Sequence, residues 1–176
     1  MESKDLSEKA RLIRVIILDV DGVLTDGSIG YGSDKEETKF FNVKDGFGIK
    51  MLRRAGLKVG ILTSRRSSAN RLRAEELALD FIYEGEEDKL KTFGNLLSAQ
   101  MVRPEECLYI GDDVPDIPLI QQVGIGVAVA DAAPELLQAA DMQTKSIGGH
   151  GAVREVAVWL LQQRGIWDDL LKQYTT

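Results

Sequence analysis

Short apolar runs rich in β-branched residues alternate with segments of helical periodicity along most of the chain. The apolar runs cover residues 12–18, 58–63, 81–83, 107–110 and 125–129. Apolar residues with helical spacing mark 45–55, 67–78, 87–100, 115–123, 134–140 and 152–164. Continuous apolar strands that alternate with helices are typical of a parallel sheet covered on both faces. The sequence therefore predicts an α/β fold with three layers, in which a parallel, Rossmann-like sheet lies between helices.

One segment breaks this alternation. Residues 28–43 read as two short strands around a polar turn, which predicts a β-hairpin that projects after the first strand of the sheet. A chain of 176 residues, 44% of them hydrophobic, is long enough for one core. It has no internal repeat or linker-like stretch, so we predict a single domain over residues 1–176.

Charge and cysteine content limit the classes of partner and the cellular compartment that we expect. The chain carries 22 Lys and Arg against 28 Asp and Glu, a formal net charge of −6, which argues against a nucleic-acid or membrane partner. Cys107 is the only cysteine, so no disulfide can form within the chain. The first residues are too charged for a signal peptide, and no apolar run approaches the roughly 20 residues that span a bilayer. We expect a cytoplasmic protein.

Acidic residues follow two of the predicted strands. Asp19 and Asp21 come directly after the first strand, and Asp112, Asp113 and Asp116 follow the strand at 107–110. Ligands of open parallel sheets bind beyond the carboxyl ends of the strands. Carboxylates that share a pocket there repel one another unless a hard cation such as Mg²⁺ compensates. The alternative for each group taken alone is a capping or turn aspartate in a solvated loop.

Two further residues complete the parts of a phosphoryl-transfer site. Thr63 ends the strand at 58–63, where its hydroxyl and the first backbone N–H groups of the next helix can hold phosphate oxygens. Lys89, at the start of a predicted helix, can supply a positive charge to a phosphate and to a nucleophilic carboxylate. The alternative for Lys89 is a solvated side chain in an exposed first turn.

The order D-x-D, T, K and G-D-D-x-x-D, each at a strand end or at the helix start beyond it, resembles the haloacid dehalogenase superfamily. The resemblance implies that Asp19 attacks phosphorus, and that Asp21 protonates the leaving oxygen and later deprotonates water. It implies an aspartyl-phosphate intermediate. It further implies Mg²⁺ bound by Asp19, the backbone carbonyl of Asp21 and Asp112, with Asp113 and Asp116 supporting the metal or Lys89. Thr63 and Lys89 would hold the transferring phosphoryl group.

The segments 18–27, 41–49, 85–89 and 148–155 look like the 3-deoxy-D-manno-octulosonate 8-phosphate phosphatases. This family has no cap domain and forms homotetramers in which the hairpins assemble and a neighbouring subunit closes each pocket. The resemblance implies a sugar acid phosphate as the substrate, in lipopolysaccharide biosynthesis. Its substrate-binding positions fall on Asp21, Asn42, Val43, Lys44, Asp45, Gly46, Lys50, Arg65, Arg73 and Lys89.

Arg65 bears on the choice of substrate. Related capless phosphatases that act on nine-carbon, sialic-type acids have glutamate at this position, so an arginine favours the eight-carbon acid. A phosphatase for another acidic sugar phosphate is the first alternative. Two more distant alternatives are a receiver-like domain that keeps its phosphoryl group and a scaffold without activity. Receivers, however, have an adjacent acidic pair after the first strand, whereas this chain has D-x-D.

Overall fold

The computed structural model describes residues 3–33 and 36–175. Its strands, in chain order, are β1 (Val15–Leu18), β2 (Gly30–Tyr31), β3 (Glu37–Thr38), β4 (Lys58–Thr63), β5 (Phe81–Glu84), β6 (Cys107–Gly111), β7 (Ile125–Ala128) and β8 (Met142–Gln143). Its helices are α1 (Ser3–Leu12), α2 (Val43–Arg54), α3 (Ser68–Glu76), α4 (Lys89–Gln100), α5 (Ile117–Ile120), α6 (Pro134–Ala139), α7 (Ala152–Gln163) and α8 (Trp167–Thr175). Two 3₁₀ helices cover Pro104–Glu106 and Val114–Asp116.

Six parallel strands form the central sheet in the order β5-β4-β1-β6-β7-β8. The central strand β1 pairs with β4 on one side and with β6 on the other, and Leu18 lies opposite both Ile61 and Ile110. Every residue of β1, β6 and β7 is buried, as a sheet covered on both faces requires. The predicted three-layer parallel sheet is confirmed, and its register brings the ends of β1 and β6 to the same level.

The helix contacts divide most of the helices into two groups. In one group, α7 contacts α1, α2 and α8. In the other, α5 contacts α4 and α6. Apolar residues from both groups and from the sheet form one continuous buried cluster. The described residues therefore share one hydrophobic core. Among the described residues, no helix combines the length and the apolar character needed to cross a membrane.

The sequence prediction is wrong at several element boundaries. Leu12 ends α1, so the first strand begins only at Val15. Helices α1 and α8 and the two-residue strand β8 were not predicted. The helix predicted over 115–123 is a 3₁₀ turn followed by the short α5, because Pro115 and Pro118 lack the N–H groups that a continuous helix needs.

The hairpin is shorter than predicted. Its strands β2 and β3 are antiparallel and join only two residue pairs, Gly30 with Thr38 and Tyr31 with Glu37. Val43 already belongs to α2, because the Asn42 side chain accepts a hydrogen bond from the backbone N–H of Lys44 and caps the helix.

At the other end of the sheet, Cys107 is buried at the start of β6, and burial raises the pKa of its thiol to about 12.

Candidate active site

A pocket opens at the carboxyl ends of the central strands. The residues that line it come from the segments after β1, β4 and β6 and from the start of α4. They are Asp19, Asp21, Thr63, Ser64, Arg65, Lys89, Asp112, Asp113, Pro115 and Asp116. The predicted meeting of the two acidic groups is confirmed, because β1 and β6 are neighbours whose ends lie level.

Three carboxylates in this pocket lie close enough to hold one metal ion. Asp19, Asp112 and Asp116 each offer an oxygen, and these oxygens lie within 4.8 Å of one another. Asp19 Oδ1 is buried and has no hydrogen-bond partner. A buried, unpaired carboxylate oxygen among other carboxylates fits a hard divalent cation such as Mg²⁺.

Burial also changes how these carboxyl groups titrate. It raises the pKa of Asp19 to about 6, although the nearby Lys89 acts in the opposite direction. It raises the pKa of Asp112 to about 7, and the charges of Asp19 and Asp116 add to the effect. A positive charge that enters the pocket therefore favours loss of these protons.

Asp116 has both of its oxygens occupied by protein groups. Oδ1 accepts hydrogen bonds from Lys89 Nζ and from the Tyr109 hydroxyl, both at 2.6 Å. Oδ2 accepts from the backbone N–H of Asp112 at 3.0 Å. This geometry favours a supporting role for Asp116 beside Lys89 over a place among the metal ligands. Asp113 is exposed, and its Oδ1 accepts from the backbone N–H of Val114 at 2.8 Å.

Lys89 is buried, so the alternative of a solvated lysine is wrong. Its Nζ lies 3.2 Å from Asp19 Oδ2 and donates to the Tyr109 hydroxyl at 3.2 Å. Burial lowers the pKa of Lys89, but Asp19 and Asp116 outweigh this effect and the pKa is raised overall. Lys89 therefore remains an ammonium group that faces the carboxylate of Asp19.

Thr63 and Asp21 complete the pocket. Thr63 is the last residue of β4, and its buried Oγ1 accepts from the backbone N–H of Arg65 at 3.4 Å. Asp21 Oδ1 accepts a hydrogen bond from Lys39 Nζ at 2.6 Å. Arg65 Nε lies 3.8 Å from Asp21 Oδ2, and Arg65 also hydrogen bonds to Glu37 of the hairpin.

The turn after β1 approaches the acidic loop closely. Gly22 has a φ of +84°, and a Cβ at this position would overlap the carboxyl group of Asp112. Glycine is the residue that adopts this backbone conformation without strain and leaves the space for Asp112. The Asp21-Gly22 dipeptide thus allows the two acidic segments to share one pocket.

Most of the remaining predicted substrate positions lie outside the pocket, around the start of α2. Asn42 Nδ2 donates to the carbonyl of Gly149 at 3.1 Å, and the Asn42 carbonyl accepts from Arg73 Nη2 at 3.0 Å. Asp45 accepts from the backbone N–H groups of Gly151 at 3.1 Å and Arg154 at 2.7 Å, so both of its oxygens anchor the start of α7.

The other residues of this group differ in exposure. Gly46 is buried, and a Cβ there would overlap the Arg73 guanidinium. Val43, Lys44 and Lys50 are exposed. Of the predicted substrate-binding residues, the pocket of the described chain therefore contains Asp21, Arg65 and Lys89.

Three residues that contact the predicted site were not predicted from the sequence. Tyr109 lies inside β6 and reads as an ordinary strand aromatic. Glu37 and Lys39 lie in the hairpin, far along the chain from the acidic motifs. One signal was available for Lys39, since it directly precedes two phenylalanines.

Similarity to known proteins indicates the family of this chain. Residues 72–156 match the model of the haloacid dehalogenase-like hydrolases. The chain is 44% identical over 167 residues to the 3-deoxy-D-manno-octulosonate 8-phosphate phosphatase KdsC of Escherichia coli strain B / BL21-DE3, which covers 95% of this chain and 89% of that protein. This chain belongs to the 3-deoxy-D-manno-octulosonate 8-phosphate phosphatase family.

Other members of the family agree. KdsC of Yersinia pestis is 46% identical over 157 residues, covering 89% of this chain and 84% of that protein. The crystal structure of the Moraxella catarrhalis phosphatase, in complex with a magnesium ion, a phosphate ion and a KDO molecule, superposes with a TM-score of 0.95. It is 35% identical and covers 98% of this chain and 99% of that one. Membership of this family makes the chain a hydrolase with a haloacid dehalogenase-like fold, so the receiver-like alternative is wrong.

Proposed function

We propose that this chain is a Mg²⁺-dependent phosphatase that hydrolyses 3-deoxy-D-manno-octulosonate 8-phosphate to the free sugar acid and phosphate. One observation carries the proposal: in a chain of this family, the Asp19 and Asp112 carboxylates and the Lys89 ammonium meet in one pocket at the sheet edge. We place the reaction in the biosynthesis of the inner sugar of lipopolysaccharide.

The residues of the pocket divide the chemistry among them. The Asp19 carboxylate attacks phosphorus and forms an aspartyl phosphate, while Asp21 gives its proton to the departing sugar oxygen. Asp21 then takes a proton from the water that hydrolyses the intermediate. Thr63 and Lys89 hold the phosphoryl oxygens. Asp19, the Asp21 carbonyl and Asp112 would hold Mg²⁺, which neutralises charge on the phosphoryl group when bound.

Arg65 is the basis of substrate choice in this proposal. Its guanidinium lines the same pocket as the Asp19 carboxylate and offers a planar partner for a carboxylate of the substrate. The second candidate substrate is a nine-carbon, sialic-type acid 9-phosphate. An arginine at this position favours the eight-carbon acid, because the nine-carbon enzymes have a glutamate there.

We further propose that the enzyme is a homotetramer of the cytoplasm. Tyr31, Phe40 and Val43 on and beside the hairpin are exposed by 67%, 77% and 82%, and a neighbouring copy would cover these apolar groups. The exposed Val43, Lys44 and Lys50 would then contribute to the pocket of that neighbour. The substrate carries charge at both ends and does not cross membranes unaided, so its phosphatase belongs in the compartment that makes it.

The test is phosphate release from a panel of sugar phosphates, with Mg²⁺ and with the metal removed by a chelator. We expect fastest turnover of 3-deoxy-D-manno-octulosonate 8-phosphate, loss of turnover without metal, and a loss of at least about 1,000-fold in Asp19→Asn. Asp168→Asn, an equivalent change at an exposed residue of α8, is the control and should retain full activity. Unchanged turnover in Asp19→Asn would refute the proposal. Wild-type protein inactive on every sugar phosphate would support the scaffold alternative.

A further inference from the structure

A buried lysine of the hairpin contacts the pocket. The Lys39 side chain follows β3 and has no accessible surface, and its Nζ lies 2.6 Å from Asp21 Oδ1. The only other acidic group within 4 Å among the described residues is Glu37, whose Oε2 lies 3.9 Å away. Burying an ammonium group is costly unless it is paired, so the contact with Asp21 is what makes this position tolerable.

The two oxygens of Asp21 have different surroundings. Oδ1 is held by Lys39, whereas Oδ2 is buried and has no hydrogen-bond partner. Arg65 Nε lies 3.8 Å from Oδ2, which is beyond hydrogen-bond distance. An ion pair at one oxygen fixes the rotation of the carboxyl group and leaves the other oxygen available for a proton.

No other described cation lies within hydrogen-bond distance of Asp21. Lys89 is engaged by Asp19 and Asp116. Arg65 Nη2 pairs with Glu37, and Arg65 Nε is 3.8 Å from Asp21 Oδ2. Lys39 is thus the cation of the described chain within hydrogen-bond distance of Asp21.

We infer that Lys39 is a positioning residue, which holds Asp21 Oδ1 so that Asp21 Oδ2 alone transfers the reaction proton. The inference rests on the proposed phosphatase function. As Asp19 bonds to phosphorus and the bond from phosphorus to the sugar oxygen breaks, the proton on Oδ2 goes to that sugar oxygen. When water attacks the aspartyl phosphate, the bond from phosphorus to the Asp19 oxygen breaks and Oδ2 takes one proton of the water, which restores Asp19 and Asp21 and releases phosphate.

The test uses leaving groups with different needs for a proton. A nitrophenolate departs unaided, whereas the oxygen of phenyl phosphate or of a sugar phosphate must be protonated as it leaves. In Lys39→Met, with Mg²⁺ present, we expect first-turnover release of phenol to fall about 100-fold. First-turnover release of nitrophenolate should fall less than about threefold. Lys91→Met, at an exposed lysine of α4, is the control and should change neither rate.

Because both rates come from the same protein sample, partial unfolding of Lys39→Met lowers them equally and leaves their ratio unchanged. An unchanged ratio would therefore overturn the inference and leave Lys39 as a purely structural anchor. In the double variant Asp21→Asn with Lys39→Met, the fall in phenol release should not exceed that of Asp21→Asn alone, since Lys39 acts through Asp21. The phenyl and nitrophenyl pair tests Lys39 even if the sugar phosphate assay fails, so the two proposals fail separately.

Discussion

At the residue scale, two carboxyl groups of the pocket have raised pKa values, so the binding of a cation changes their protonation. Burial raises the pKa of Asp19 to about 6 and that of Asp112 to about 7. Lys89 offsets only part of this effect, because it also pairs with Asp116. Between about pH 6 and 7, binding of a divalent cation must therefore displace protons from these groups.

The first prediction concerns metal affinity. Mg²⁺ should bind more tightly as the pH rises from 5.5 to 8, by up to about tenfold per pH unit while Asp112 titrates, because protons and metal compete for the same oxygens. Isothermal titration calorimetry in two buffers of different ionisation enthalpy measures both the affinity and the protons released. An affinity that does not change over this range would contradict the prediction.

The second prediction concerns stability without metal. The folded-state pKa of Asp112, about 7, lies above its unfolded value of 3.8, so the folded protein binds more protons between these values and loses stability as the pH rises from 3.8 through 7. At pH 8 and without metal, the free energy of unfolding of Asp112→Asn, measured by chemical denaturation, should therefore exceed that of the wild type by about 1 to 2 kcal/mol. The difference should shrink at pH 5, where Asp112 is already protonated. Asp168→Asn should show no such dependence on pH.

At the element scale, the site depends on turns that bring strand ends together. Gly22 and Gly27 both have positive φ, +84° and +80°, within the segment that follows β1. A Cβ at Gly22 would overlap the Asp112 carboxyl group, whereas a Cβ at Gly27 would meet nothing nearer than 3.7 Å. The two glycines therefore share a backbone requirement and differ in their relation to the acidic loop.

The third prediction uses this difference. Both Gly22→Ala and Gly27→Ala should destabilise the fold by about 1 kcal/mol or more, because alanine is strained at positive φ. Only Gly22→Ala should also weaken Mg²⁺ binding, by about tenfold or more, since it displaces Asp112. Chemical denaturation and metal titration on the same samples separate the two effects. Equal metal affinity in both variants would show that the turn does not position Asp112.

The elements predicted best from the sequence are the strands buried on both faces. The strand at 58–63 is found at its predicted limits, because a continuous apolar run between polar residues has few other places to lie. Helices α1 and α8 are rich in charged residues and pack through few apolar side chains, so their pattern resembles solvated chain. Strand β8 has only two residues, too few to show a periodicity.

The site residues likewise differ in how well the sequence pattern predicts them. Asp19, Asp21, Thr63, Lys89 and Asp112 were found because each lies at the end of a predicted strand or at the helix start beyond it. Lys39 and Tyr109 were missed because their place in the pocket depends on how the hairpin folds back and which way a strand residue faces. Asn42 and Asp45 were predicted to bind substrate, and in this chain their side chains cap helices α2 and α7.

At the scale of the whole molecule, the hairpin connects the exposed apolar surface with the pocket. Phe40, which is 77% exposed, directly follows the buried Lys39 that holds Asp21. A copy of the chain packed against Phe40 would therefore stabilise the backbone that carries Lys39. The same short hairpin, with its two residue pairs, would then serve both the assembly and the chemistry.

The fourth prediction tests this surface. Wild-type protein should sediment with four times the mass of the chain, and Phe40→Asp should shift it to smaller species, because a charge cannot be buried cheaply at an apolar contact. Turnover should fall about tenfold or more with the assembly. Leu72→Asp, at a residue of α3 that is 67% exposed, is the matched control and should keep the wild-type mass. A Phe40→Asp protein of wild-type mass would place the interface elsewhere.

The isolation of Cys107 has a practical consequence for such measurements. Its thiol lies at the opposite end of β6 from the acidic loop, about 13 Å away along the strand, and is enclosed by the core. Burial holds its pKa near 12, so alkylating reagents meet almost no thiolate there. A cysteine engineered onto the surface would react alone, and fluorophores attached to it in two separate preparations would report subunit exchange by energy transfer without removal of the native thiol.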